Sequence, residues 1–229
     1  MAYNAKIFQC QAYRRPYLIF LPMIHFKINC KRMTDKQETV DPLEFGFPRT
    51  NLGELQSIIT KPANGLFMLP SDSYNEVFDG IFIGDSSSAL NEKQLQTLGI
   101  THLLNAAQGT KFCHVNTGPE DYSESGIIFH GVPARDSFQF KLNRYFDEAC
   151  DFIGKAVGTK KSGKLDGRIF VHCREGVSRS ASLVLAYLVR DQEMQLTDAV
   201  KLVRSKREIL PNEGFLLQLI DFSLKLGRA

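Results

Sequence analysis

Residues 168–190, RIFVHCREGVSRSASLVLAYLVR, place two apolar runs on either side of a turn that is almost entirely polar. The first run, RIFVH, has the near-continuous apolar character of a strand in the middle of a sheet. The second, SASLVLAYLVR, is apolar on most faces and predicts a buried central helix. Around the turn sit the thiol of Cys173, the guanidiniums of Arg174 and Arg179, and the hydroxyls of Ser178, Ser180 and Ser182, with Val177 the one hydrophobic side chain in the loop. A turn of that composition is a poor place for a core.

Strand, loop and helix in this order make a trap for anions. The loop Arg174, Glu175, Gly176, Val177 and Ser178 lets backbone N–H groups turn inward, and a helix beginning near Arg179 points its positive end into the same space. Together they cradle a tetrahedral dianion such as phosphate. Cys173 lies on the floor, where the same field favours thiolate over thiol. Arg179 can grip two phosphate oxygens with its planar fork, which Lys cannot match. The arrangement suits attack of sulfur on phosphorus. A leaving oxygen then needs a proton, and Asp136 in GVPARDSFQF (131–140) is placed for it, on a loop between strand and helix. Asp136 is assigned as general acid in a first step and general base toward water in a second. Ser180 is expected to hydrogen-bond the sulfur as it leaves. The chemistry requires no metal and no cofactor, and no metal-ligand cluster is visible in the sequence.

From Glu54 onward strands and helices alternate, the pattern of an α/β layer fold. EVFDGIFIGD (76–85) reads as a strand with a Gly turn. NEKQLQTLG (91–99) reads as a short helix capped by Asn91, with Gly99 just past its end. ITHLLNAA (100–107) and IIFHGVPA (127–134) are strands. LNRYFDEACDFIGKAV (142–157) has the three-four apolar spacing of a helix with one buried face, which takes in Cys150. Thr197 is expected to cap the next helix, and the turn 211–214 opens the last. The predicted organisation is an extension over residues 1–53, expected to be disordered, and one domain over 54–229.

Residues 1–32 carry six basic side chains and no acid, and everything after them sums to −3. The front end is a basic appendage on a mildly acidic domain, and a formal charge of +3 is too small to argue for nucleic acid. YLIFLPMIHF (17–26) is too short and too interrupted to span a bilayer. It could serve as a signal-peptide core, but KINCKR after it offers no small-residue cleavage site. Met33, where composition changes sharply, is expected to be the usual start. Five cysteines with no paired spacing point to a reducing compartment, cytoplasm or nucleus, rather than a disulfide framework or zinc site.

The motif H-C-x-x-x-x-x-R-S, formed by His172, Cys173, Arg179 and Ser180, resembles the signature of the protein tyrosine phosphatases. VHCREGVSRS…LVLAYL is similar to the small dual-specificity phosphatases of the VHR type. The likeness continues through YNEVFDGIFIGD, LGITHLLNAAQG, FCHVNT, ESGIIFHGVPARDS and VRSKREILPNEGF, over about residues 54–229. It implies a central mixed β-sheet flanked by α-helices. It also implies hydrolysis of phosphotyrosine and phosphoserine or phosphothreonine in proteins, with mitogen-activated protein kinases as frequent substrates. By the same resemblance Asp136 matches the family's acid, and Asn212 a residue that buttresses the phosphate loop. Arg207 matches a basic residue near the pocket that binds a second phosphate or an acidic substrate side chain; support of the loop and a plain surface ion pair are the alternatives. Two departures bear on substrate choice: Val177 stands where the VHR type has an aromatic, and the loop 158–167 is longer and more basic.

Other roles stay open at this point. His172 can organise the loop through hydrogen bonds or act as a base. Cys113 can serve as a redox partner of Cys173, whereas Cys150 reads as core. Glu175 in the loop counts against a highly anionic lipid or RNA substrate, and a phosphoprotein-binding module without turnover is the rival to an enzyme. Nothing in the sequence fixes an oligomeric state.

Overall fold

The computed structural model describes residues 50–63, 66–158 and 166–229. The expectations placed on residues 1–49, including the start at Met33 and the apolar run 17–26, lie outside the described residues, as does most of the basic loop 158–167. No helix among the described residues is long and apolar enough to cross a membrane.

Five strands form one mixed sheet: β1 (Tyr74–Phe78), β2 (Ile81–Gly84), β3 (His102–Asn105), β4 (Ile128–Gly131) and β5 (Ile169–His172), in the order β1-β2-β5-β3-β4. Only β1 runs antiparallel to its neighbour. β5 is the middle strand and is buried along its whole length, as its apolar run predicts. Residues 76–85, read as one strand, make most of a hairpin instead. Gly80 turns the chain at φ +72° and donates its N–H to Glu76 Oε1 at 2.9 Å. That turn adds the antiparallel edge strand.

Alternation along the strands sends side chains to two cores. Ile81, Ile83, Leu104, Ile169 and Val171 face the larger, built with α4 (Phe146–Val157), α5 (Arg179–Arg190), α6 (Leu196–Lys206) and α7 (Glu213–Lys225). Phe82, Leu103 and Phe170 face the smaller, which holds Ala89 at the end of α2 (Ser86–Ala89), Leu95 of α3 (Glu92–Thr97) and Tyr122. α5 is the buried centre of the larger layer, its residues from Arg179 to Val189 all enclosed.

One helix start differs from expectation. α6 begins at Leu196 after Gln195, so Thr197 lies inside the first turn and caps nothing. Leu196 is fully buried and donates its N–H to the Arg228 carbonyl at 2.9 Å, which draws the helix start upstream. α1 (Leu52–Thr60) straddles the boundary drawn at residue 53. Its cap Asn51 accepts the Glu54 N–H at 2.8 Å, a pairing visible as N-L-G-E in the sequence.

Leu185 on α5 has no exposure and belongs to the larger core. Leu185→Ala should lower unfolding stability by about 3 kcal/mol in urea titrations. A loss below about 1 kcal/mol would show that α5 is not the packing centre.

Candidate active site

β5 ends at His172 and delivers Cys173 to the mouth of the sheet, where the loop 174–178 carries the chain into α5. The loop's carbonyl oxygens are all engaged from outside. Arg174 O accepts from Ser86 N at 3.0 Å, and Glu175 O and Gly176 O accept from Arg207 Nη2 and Nε at 3.2 and 2.8 Å. Val177 O accepts from Leu210 N at 2.8 Å, and Ser178 O accepts from the N–H and hydroxyl of Ser182 at 2.9 and 2.8 Å. In a planar trans peptide the N–H points opposite the C=O, so the amides that follow these carbonyls turn inward over Cys173. Gly176 sits at φ +67°, and a Cβ there would run into the Gly84 carbonyl and the Arg207 guanidinium. The close packing of loop, hairpin and Arg207 requires glycine.

Cys173 is 1% exposed. Burial pushes its thiol up, but the Arg179 charge and hydrogen bonds from the Ser180 hydroxyl and N–H outweigh that, and the net shift is below the ordinary thiol value. The Ser180 hydroxyl lies 3.3 Å from the sulfur.

Arg179 is anchored on one side and open on the other. Its Nη1 donates to the carbonyls of Cys113 and Ala134 at 2.9 and 3.2 Å. Its Nε is buried without a hydrogen-bond acceptor; Asp136 Oδ2 is 3.6 Å away. A buried donor on a fixed guanidinium is costly unless an anion takes it. The edge made by Nε and Nη2 suits two oxygens of one phosphate.

Asp136 reaches the same space. Its Oδ1 accepts from Ser178 Oγ at 2.8 Å and Asn212 Nδ2 at 2.7 Å, which leaves Oδ2 turned toward Arg179. Asn212 is also the N-cap of α7, its Oδ1 accepting the Phe215 N–H at 3.1 Å. It therefore holds the carboxylate and, through its own N–H on Ser178 Oγ at 3.3 Å, the phosphate loop.

His172 is fully buried, with Nδ1 3.0 Å from the Cys173 carbonyl. A carbonyl only accepts, so Nδ1 carries the proton. Burial pulls the imidazole down to about 4. The ring is thus neutral at physiological pH, and its one N–H is committed to the loop. That geometry favours the organising role over a base.

For Arg207 the geometry favours support of the loop over contact with substrate. Arg207 is 2% exposed and, beyond the two loop carbonyls, donates Nη1 to Asp72 O at 3.0 Å and Asn75 Oδ1 at 2.8 Å. A guanidinium enclosed behind the loop with four of its five N–H groups committed is neither a second-phosphate site nor a surface ion pair. It braces the loop, because burying the charge requires acceptors that the loop supplies.

The side chains of Arg174 and Glu175 stand on the surface, 3.6 Å apart, and Arg174 lies over the exposed Phe112 ring. These two residues contribute backbone to the cradle rather than charge. Cys113, in the left-handed region at φ +66°, enters the site through its carbonyl on Arg179, and Cys150 is core. No local pattern marks the carbonyls of Cys113 and Ala134, nor Asp72 and Asn75, whose role depends on long-range folding. Among the described residues no cluster of His, Cys, Asp and Glu could hold a metal ion.

The family model described as the dual specificity phosphatase catalytic domain matches residues 81–225. Dual specificity protein phosphatase 26 of Bos taurus is 43% identical over 156 residues, covering 66% of this chain and 68% of that protein. The crystal structure of human DUSP28 superposes with a TM-score of 0.57 at 28% identity, covering 70% of this chain and 99% of that one. The human tyrosine phosphatase-like serine/threonine/tyrosine-interacting protein gives 0.56 at 28% identity over 67% and 97%.

Two measurements check the site's electrostatics. The pH dependence of Cys173 alkylation by iodoacetate should have its midpoint below the ordinary thiol value, and Ser180→Ala should move it upward; an unmoved midpoint would remove the hydroxyl from the account. For His172, the unfolded imidazole takes its proton near 6.5 and the folded one near 4. Stability is therefore full above pH 6.5 and falls as pH drops toward 4, by up to about 3 kcal/mol. Urea midpoints of the parent should fall more steeply over that range than those of His172→Gln, and parallel curves would contradict the assignment.

Proposed function

The chain belongs to the dual specificity phosphatase family of protein tyrosine/serine/threonine phosphatases, and we propose that it works through a cysteinyl-phosphate intermediate on Cys173. In the first step the Cys173 thiolate attacks phosphorus and the bond to the substrate oxygen breaks. Asp136 gives its proton to that oxygen from Oδ2, the oxygen that Ser178 and Asn212 leave unengaged. The inward amides of the loop and the Nε–Nη2 edge of Arg179 hold the remaining oxygens as charge redistributes. In the second step water attacks phosphorus, Asp136 takes its proton, and the S–P bond breaks with inorganic phosphate released. Ser180 donates to the sulfur as it departs, stabilising the thiolate 3.3 Å away.

The observation that carries this reading is the buried Arg179 Nε without an acceptor, above a thiol held below its ordinary value. The substrates are phosphoproteins, and the resemblance to the VHR type favours doubly phosphorylated loops of mitogen-activated protein kinases among them. With Arg207 enclosed, a second phosphate on such a loop would find its partner elsewhere. A nucleophilic thiol favours the reducing cytoplasm or nucleus.

The test is turnover of phosphotyrosine and phosphoserine peptides with a chelator present. Cys173→Ser should abolish turnover yet still bind the peptides. Asp136→Asn should cost about 10²–10⁴-fold on phosphoserine, whose leaving group is poor, and far less on p-nitrophenyl phosphate. Equal losses on both substrates would remove Asp136 as the acid, and binding without turnover by the parent would make the chain a recognition module.

A further inference from the structure

Residues 50–229 carry 20 Lys and Arg against 21 Asp and Glu, so an even scatter would leave no region strongly basic. Yet a groove of about 500 Å³ between the end of α1 and α6 is lined by Lys61, Lys201, Arg204, Lys206 and Arg207, with Glu208 the carboxylate among them. Ile58 and Pro62 add apolar surface. The groove is braced: Arg204, 9% exposed, donates Nε to the Ile59 carbonyl at 2.8 Å and pairs Nη1 with Glu208 at 3.5 Å, tying α6 to the end of α1. Lys201 pairs with Asp198 at 3.1 Å on the surface. Lys61 and Lys206 are exposed and have no ion-pair partner among the described residues.

We propose that this groove docks an acidic peptide segment whose carboxylates meet Lys61, Lys201 and Lys206 and whose apolar side chains lie on Ile58, Pro62 and the lysine stems. The placement of the cations favours a peptide over a compact phosphate. Lys201 and Lys206 stand along the C-terminal half of α6 and Lys61 at the C-terminal end of α1, where the helix dipoles are negative and oppose a concentrated anion. Glu208 would oppose a polyphosphate or nucleic acid in the same way, while well-spaced carboxylates can avoid it. The aliphatic surface suits a segment with hydrophobic residues between its acids.

The groove backs onto the catalytic loop, because Arg207 lines the one and holds the Glu175 and Gly176 carbonyls of the other. Resting on the phosphatase reading above, the docked segment belongs to the phosphoprotein substrate, at a distance in sequence from its phosphorylated residue. The groove would then select the protein while the cradle performs the chemistry on the phosphate.

The test uses the full chain and a short fluorescent peptide of alternating Glu and Leu, followed by anisotropy. Binding should weaken as salt rises, persist when vanadate fills the catalytic cradle, and fall about tenfold in a Lys61→Glu, Lys206→Glu double variant. The double variant should hydrolyse p-nitrophenyl phosphate as the parent does. It should show a raised KM for a phosphopeptide extended by the acidic segment, but not for one extended by the Gln counterpart. Binding no tighter than to the Gln counterpart overturns the proposal, and so does competition by vanadate. Binding that survives the double reversal overturns it too, by assigning the peptide to other cations such as those of residues 1–32. If the parent leaves p-nitrophenyl phosphate intact, the phosphatase reading fails, while the anisotropy still decides the groove.

Discussion

The carbonyl oxygens of residues 174–178 all face away from the sulfur, and the rest of the site follows from that. Peptide planarity converts five outward carbonyls into inward N–H groups, and the inward set gives the loop its affinity for an oxyanion. The five carbonyls are held by four parts of the fold: the start of α2, the residue after α6, which takes two of them, the segment at Leu210, and the first turn of α5. The loop has no hydrogen-bond ladder of its own. Its shape is imposed by neighbours, and Arg207 supplies two of the bonds from a position 31 residues further along the chain.

Burying a guanidinium to brace a loop is physically demanding, since an enclosed charge without acceptors costs far more than a hydrogen bond returns. Arg207 avoids that penalty because four oxygens converge on it, three of them backbone carbonyls. Arg179 shows the opposite economy of contacts. Its Nη1 is satisfied twice over while Nε has no hydrogen-bond acceptor, only the Asp136 carboxylate 3.6 Å away. Four of the five N–H groups of Arg207 are committed to the fold against two of those of Arg179, and the hydrogen bonds separate the two arginines where residue type does not.

That distinction marks how far the sequence could be read. That Cys173, Arg179, Ser180 and Asp136 share one site was legible because each answers a chemical requirement of the proposed reaction: nucleophile, clamp, leaving-sulfur donor and acid. The central strand and buried helix were legible from their apolar runs, and α7 from its opening turn. For Arg207 the sequence left loop support and substrate binding undivided, because the motif around it gives proximity to the pocket but not the direction of the side chain. Asp72, Asn75 and the carbonyls of Cys113 and Ala134 carry no local signal, since any residue type offers a carbonyl and only the folded chain brings it to hand. Thr197 failed as a cap for a related reason: the burial of Leu196, a tertiary effect, outweighed a local preference.

Asn212 spends both ends of one amide. Its oxygen receives the first turn of α7, and its nitrogen donates to Asp136. Ser, Thr and Asp serve almost as well at a helix start, yet an aspartate here would aim a second negative charge at Asp136, the proposed acid, and a hydroxyl is too short to span both partners. The position is thereby closed to the usual interchange among capping residues. A lineage that drifted to one of them would retain a folded helix and surrender control of its proton donor.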